Sequence, residues 1–457
     1  MPSIALLDLP GPLLPAASRS SSSTDTLVDD PTPSPQQSIP FSPCHLVPLC
    51  KVGTGAFGNV FKVADISFDS TAHSGRTHKS QCYALKVIPK LADNADSVWR
   101  ERETLLRTTG SAWLCGFVGS WQDAVNYYLL MDFVEGGDLI GLAAPVEDSR
   151  KSPRNGLPDD SPDGCLDISP QEVRLIVAEL IVALEELHKR KIIHRDIKPR
   201  NILFDANGHV VLGDYGISRN FNLPPSPSAL KEPAPTLRRK VRSLVTRNGK
   251  DPLRKQYTNA AYGSPAYMAP EVWMGVPYSY EADFWSVGVL MYFLLVGRFP
   301  FDLDGCKDDS EIRDAIFWAP FNLDWDRCGS GRVDPVALDF MGRMLKKAST
   351  RRLTVEEMKR HPYFNGVDFQ KVKSKEYPGP MADRVLSHTA SERKRAQTLG
   401  ASPAVRSSLD STMTTKDSHA SVPPALGFGF DSLEPFPRYT SVRSKFVARV
   451  GKFLRKI

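Results

Sequence analysis

The chain has 457 residues, with 58 Lys and Arg against 52 Asp and Glu for a net charge of +6, and it is longer than one ordinary domain unless part of it forms tails and inserts. It holds no uninterrupted apolar run long enough to cross a membrane and no repeat of the solenoid kind. Cys44, Cys50, Cys82, Cys115, Cys165, Cys306 and Cys328 are scattered and odd in number, without the close pairs of a zinc or redox site; reduced thiols and a cytoplasmic or nuclear location are expected, and no specific nucleic-acid partner.

Residues 1–44 are rich in Ser and Pro, as in Pro31-Thr32-Pro33-Ser34-Pro35, and cannot bury enough surface to fold alone, so a disordered leader is expected. Leu6-Leu7 and Leu13-Leu14 are interrupted by prolines and lack a basic flank, which makes a poor secretory signal. Gly53-Thr54-Gly55-Ala56-Phe57-Gly58-Asn59-Val60 follows, a loop whose glycines let backbone approach a phosphate, although glycine pairs more often mark ordinary turns. Tyr83-Ala84-Leu85-Lys86-Val87-Ile88 alternates like a strand and carries a lysine within an apolar run. The next helix, around Val98 to Leu106, offers Glu101 and Glu103; they lie about 200° apart, so only one can face inward.

Two stretches read as exposed insertions, one from about 145 to 167 and one from about 223 to 257. The second carries Lys231, Arg238, Arg239, Lys240, Arg242, Arg247, Lys250, Arg254 and Lys255 against Glu232 and Asp251; it is either a solvated loop or a dock for acidic partners. Between them stand His194-Arg195-Asp196-Ile197-Lys198-Pro199-Arg200-Asn201 and Asp214-Tyr215-Gly216. Their spacing supplies a base, a cation and two hard-oxygen metal ligands, the parts phosphoryl transfer needs. Singly, Asp196 would read as a helix cap and Lys198 as a solvated charge; the set in order does not. At the far end, Phe446, Val447, Val450, Phe453, Leu454 and Ile457 follow helical spacing opposite Lys445, Arg449, Lys452, Arg455 and Lys456. This basic amphipathic helix, 444–457, suits an anionic membrane surface, a calmodulin-like groove, or packing back on the same chain.

The motifs from 194 to 216 resemble the catalytic loop and metal-binding loop of eukaryotic protein kinases of the serine/threonine type. The resemblance covers roughly residues 46–380 and implies an α+β, bilobal fold. A small antiparallel sheet plus one helix would occupy 45–135 and a mainly helical lobe 136–366, followed by a tail over 367–457. ATP would bind between the lobes. The resemblance implies that Asp196 accepts the substrate hydroxyl's proton, Lys198 offsets phosphoryl charge, and Asn201 and Asp214 hold Mg2+. Gly53, Gly55 and Gly58 would cover the phosphates, and Lys86 would contact them with Glu101 as its carboxylate partner, Glu103 being the alternative. Val60, Ala84 and Leu203 would sandwich adenine, with Met131 as gatekeeper before hinge residues Asp132-Phe133-Val134; each could equally be plain core.

Gly263-Ser264-Pro265-Ala266-Tyr267-Met268-Ala269-Pro270-Glu271 resembles the end of an activation segment, which puts Ser264 in place to bridge Asp196 and Lys198. Glu271 would pair with Arg352, and Asp283 would steady the catalytic loop. The lobe end, His361-Pro362-Tyr363-Phe364-Asn365-Gly366-Val367-Asp368-Phe369, resembles the group containing the cyclic-nucleotide-dependent kinases. Phe428, Phe430 and Phe436 with Tyr439-Thr440 depart from that group's aromatic tail spacing. Relatives that prefer basic peptides carry glutamate where this chain has Arg200 and Phe293, so a weakened preference for upstream arginine is expected. Ala260 falls near the expected phosphoacceptor, with Tyr257 and Thr258 slightly upstream; Arg195 would grip a phosphate placed there by an upstream kinase, or the loop is ordered without one. The expected activity is transfer of the γ-phosphate of ATP to Ser or Thr of protein substrates; the alternatives are a pseudokinase scaffold and an adaptor tethered to membrane by the terminal helix.

Overall fold

The computed structural model describes residues 46–398 apart from 56–57, 66–80, 92, 145–166, 225–255, 304 and 322–332. The expected leader, most of both insertions, the aromatic residues at 428–436 and the helix expected at 444–457 lie outside the described residues.

A five-stranded antiparallel sheet begins the described chain, in the order β1-β2-β3-β5-β4. β1 (Leu46–Gly55) and β2 (Gly58–Asp65) form a hairpin whose last pair is Gly55 with Gly58. β3 (Cys82–Pro89) lies at the centre, and β4 (Phe117–Gln122) and β5 (Asn126–Asp132) form the far side. The β4–β5 turn is set by one carboxylate: Asp123 Oδ1 accepts from the Val125 and Asn126 amides, both at 2.7 Å. α1 (Ala95–Thr108) buries Val98, Glu101, Thr104, Leu105 and Thr108, the three-and-four spacing of one helix face, and packs on β4 and β5. Glu101 is the anomaly on that face, a buried acid that needs a partner.

The second lobe is helical. After α2 (Leu139–Ala143), α3 (Pro170–Lys189) starts with a capping box between Ser169 and Glu172 and Pro at its first turn, then buries a long apolar run. Two short hairpins follow: β6 (Ile192–Ile193) pairs with β9 (Arg219–Asn220), and β7 (Ile202–Phe204) with β8 (Val210–Leu212). α4 (Pro270–Trp273) precedes α5 (Glu281–Val296), which is apolar around nearly its whole circumference and forms the lobe's centre. α6 (Asp309–Trp318) packs on α4, α7 (Pro335–Met344) on α5, and α8 (Val355–Arg360) on α3. Arg352 holds Glu271 through two bonds, Nη1 to Oε1 at 2.5 Å and Nη2 to Oε2 at 2.6 Å, with both side chains buried.

The chain past residue 366 stays packed. α9 (Phe369–Lys373) contacts α3, and Lys375 donates to Asp205 Oδ2 at 2.8 Å and to the Ala112 carbonyl at 2.9 Å. Gly379 approaches the β7–β8 turn so closely that an added Cβ would lie 2.1 Å from the Asn207 carbonyl oxygen. Met381 donates its amide to Gly208 O, and α10 (Ala382–Thr398) buries Val385 against the second lobe while Arg384 reaches Glu172 at 3.1 Å. No described helix is long and apolar enough to cross a membrane.

Candidate active site

Lys86 sits mid-sheet, paired in register with Val60 on one side and Leu129 on the other. Its ammonium bonds Glu101 Oε1 at 2.6 Å and Asp214 Oδ1 at 3.0 Å. Of the two acids on α1, Glu101 is therefore the one that meets Lys86, and Glu103 pairs with Arg102 at 2.6 Å. Burial opposes a charge on Lys86, but Asp214 and Glu101 outweigh it and lift the amine above its ordinary range. Burial likewise pushes the Asp214 carboxyl up; the Lys86 ammonium and the Gly216 amide overcome this and bring it down to about 2.

The catalytic loop hangs from α5. Asp283, fully buried, accepts the His194 amide on Oδ2 at 2.9 Å, the Arg195 amide on Oδ1 at 2.8 Å, and meets His188 Nε2 at 2.8 Å. These bonds fix a turn in which Arg195 takes a left-handed φ of 70°. Asp196 is then held from three directions. Asn201 Nδ2 donates to its Oδ2 at 2.9 Å, Ser264 Oγ to its Oδ1 at 2.8 Å, and Lys198 Nζ lies 3.1 Å from Oδ2. Lys198 also donates to Ser264 Oγ at 2.9 Å, so Ser264 bridges base and cation.

Asn201 and Asp214 are brought together by the β7–β8 hairpin, at whose mouth the Gly213 amide donates to Asn201 O at 3.0 Å. With Nδ2 committed to Asp196, the group Asn201 can offer a cation is Oδ1. An amide oxygen beside a carboxylate held ionised fits a hard cation that completes its shell with waters or phosphate oxygens. Tyr215 is buried beneath the loop, its hydroxyl donating to Leu212 O at 2.8 Å.

Above the site, Gly53 pairs with Val60 and Gly55 with Gly58. An added Cβ on Gly58 would meet the Val87 carbonyl oxygen at 2.2 Å, so glycine there lets the hairpin lie against β3. Ala56 and Phe57, at the loop's tip, lie outside the described residues. Ala84 and Met131 are cross-strand partners, both nearly buried, and Leu203 pairs with Val211 and bridges to Asp138. Val134 packs partly buried against the same core. Asp132 is tied to the neighbouring chain on all sides: its carboxylate accepts the Gly116 amide at 2.9 Å, its own amide donates to Gly116 O at 3.1 Å, and its carbonyl meets Cys115 Sγ at 3.6 Å.

One residue escaped the sequence reading. Tyr278, fully buried, donates its hydroxyl to Ala260 O at 2.6 Å and accepts from Arg195 Nη1 at 3.4 Å. Nothing local distinguishes it, since Val276-Pro277-Tyr278-Ser279 reads as a turn.

A family model described as the protein kinase domain matches residues 47–364. The chain belongs to the protein kinase family. The kinase is 30% identical over 326 residues to a probable serine/threonine protein kinase IRE4 of Arabidopsis thaliana, covering 70% of this chain and 27% of the relative. It is 28% identical over 354 residues to mouse (Mus musculus) ribosomal protein S6 kinase alpha-4, covering 74% and 38%. It is also 28% identical over 363 residues to the serine/threonine-protein kinase Warts of Drosophila melanogaster, covering 73% and 28%. The kinase thus spans well under two thirds of each of these relatives. The S6-kinase and Warts relatives agree with the resemblance to the group of the cyclic-nucleotide-dependent kinases.

Proposed function

We propose that the chain is a serine/threonine protein kinase that transfers the γ-phosphate of ATP to hydroxyls of protein substrates. The observation that carries this is the Asp196 carboxylate, held by Asn201 and the Lys198 ammonium at Oδ2 and by Ser264 at Oδ1. In this reading Asp196 orients the substrate hydroxyl and takes its proton, and Lys198 meets the charge on the phosphoryl group in flight. Lys86, charged and fixed by Glu101, binds ATP phosphates; the glycine hairpin lies over them, and the apolar faces of Val60, Ala84 and Leu203 take the adenine. Magnesium, held by Asn201 and Asp214, supplies neutralisation of phosphate charge. Catalysis of this kind is positioning and electrostatics, which is what the fixed bonds around Asp196 provide.

The reading extends to substrate preference. Phe293 is buried and stacked on Phe299 with ring centres 5.4 Å apart, and Tyr267 meets Phe299 edge-on at 5.5 Å. That corner is apolar and unsuited to a guanidinium, and the exposed Arg200 repels one. Substrates without a strong requirement for upstream arginine follow.

The test is transfer from labelled ATP with magnesium to a degenerate peptide library, comparing wild type with Asp196→Asn. Transfer that vanishes in the variant supports the reading, and the preferred peptides report on Arg200 and Phe293. Equal background in both, with nucleotide still bound, points to a scaffold.

A further inference from the structure

Arg195 and Tyr278 join segments that are distant in the chain. The Arg195 guanidinium donates from Nε to Ile217 O at 2.6 Å and from Nη2 to Ser218 O at 3.2 Å, just beyond the Asp214 loop. Its Nη1 reaches the Tyr278 hydroxyl, which passes its own hydrogen to Ala260 O. The Tyr278 backbone also pairs with Thr258 in both directions, at 2.9 and 3.0 Å, and Ser279 Oγ donates to Gln256 O at 2.8 Å. Residues 256–260 are thereby fastened to the stretch that leads into α5, four residues before Ser264 reaches Asp196.

What meets the Arg195 charge is neutral. Among the described residues it makes no ion pair; it is satisfied by carbonyl oxygens, the Tyr278 hydroxyl and the face of Tyr262, 5.1 Å away. Two neighbouring guanidiniums are met in a similar way. Arg219 donates to Leu223 O and Pro224 O, and Arg100 to Pro224 O and to the one acid in the group, Asp96. Ala260, where the resemblance expects a phosphoacceptor, has no hydroxyl.

We propose that Tyr278 is a positioning residue for phosphoryl transfer: its buried hydroxyl, held between Arg195 and the Ala260 carbonyl, orders the segment leading to Ser264 without an acidic or phosphorylated group on that segment. A hydroxyl suits the place because it accepts from the guanidinium and donates to the carbonyl at once; a carboxylate or phosphate there would serve the guanidinium alone. The inference rests on the kinase reading above.

The test uses the full chain, treated with a phosphatase and checked by mass spectrometry for loss of phosphate. Dephosphorylated wild type should keep its rate within about twofold. Tyr278→Phe should lower kcat/KM for a peptide substrate by about 10- to 100-fold, the scale of a small misplacement of catalytic groups, while KM for ATP barely moves and the melting temperature falls by only a few degrees, leaving the protein folded at the assay temperature. Adding Ala260→Glu to Tyr278→Phe should recover most of the loss, because the new acid meets Arg195 directly. Hydrogen exchange over residues 256–264 should quicken in Tyr278→Phe, a readout independent of turnover. Wild-type kinetics and exchange in Tyr278→Phe overturn the proposal while leaving the kinase reading intact, as does activity in wild type that disappears with its phosphate. No transfer by wild type in either form overturns both.

Discussion

Replacing Glu271 with Gln leaves Arg352 charged, buried and facing an amide that can accept only one of its two bonds. Removing one side of a buried ion pair costs about 3–5 kcal/mol. Arg352 keeps two other acceptors, Lys346 O for Nε at 3.0 Å and Glu281 O for Nη1 at 3.0 Å, so the guanidinium is not orphaned and the lower end applies. Unfolding entropy of about 2.1 cal/mol/K per residue over about 300 packed residues converts roughly 3 kcal/mol into a fall of about 5 °C in Tm. Thermal denaturation followed by circular dichroism measures it. A second variant, Glu271→Leu with Arg352→Met, should melt above either single change, because it leaves no unpaired charge. A Glu271→Gln protein melting within about 1 °C of wild type, or a double variant worse than the sum of the singles, would refute the account of this bridge.

Lys86→Met should let the Asp214 carboxyl climb from about 2 toward its ordinary range, since the ammonium is the main group holding it down; a carbon-13 NMR titration reads this. The sign in wild type follows: the stabilisation from ionised Asp214 is complete above the unfolded carboxyl value near 4 and is lost as pH falls through about 2, so Asp214→Asn should flatten the acid limb of the stability profile. Ser264→Ala should lower kcat on the order of 10-fold by removing the hydroxyl that bridges Asp196 and Lys198, although the residue-264 amide keeps its 3.1 Å bond to Asp196 Oδ1, and Ser264→Thr, which keeps the hydroxyl, should retain activity in the same peptide assay. Tyr215→Phe should cost under about 1 kcal/mol in chemical denaturation, because Leu212 O keeps its bond from the Cys115 amide at 2.9 Å.

The polar centre was readable in the sequence because its parts lie close in the chain and in fixed order. Asp196, Lys198 and Asn201 share one loop, and their mutual bonds span at most five residues. β3 was readable too, since alternation around Lys86 is a local signal. Helix periodicity could show that Glu101 and Glu103 face opposite ways but not which faces inward; that is decided by Lys86, 15 residues away on a different element. Tyr278 is the extreme case, with a role made entirely by Ala260 and Arg195 at separations of 18 and 83 residues. The packed stretch after 366 gave little warning for a related reason. α10 carries an exposed Leu386 beside a buried Val385, so its pattern is weak, and its anchoring depends on two glycine-mediated backbone approaches.

That stretch decides where the molecule can be cut. Cleavage after residue 366 would strip Lys375 from Asp205, uncover the Gly208 carbonyl, and remove Arg384 from the capping box that starts α3. The smallest autonomous fragment therefore extends into α10, past Val385 and beyond the family's nominal boundary at 364, and a fragment ending at 366 should melt well below one ending at 398.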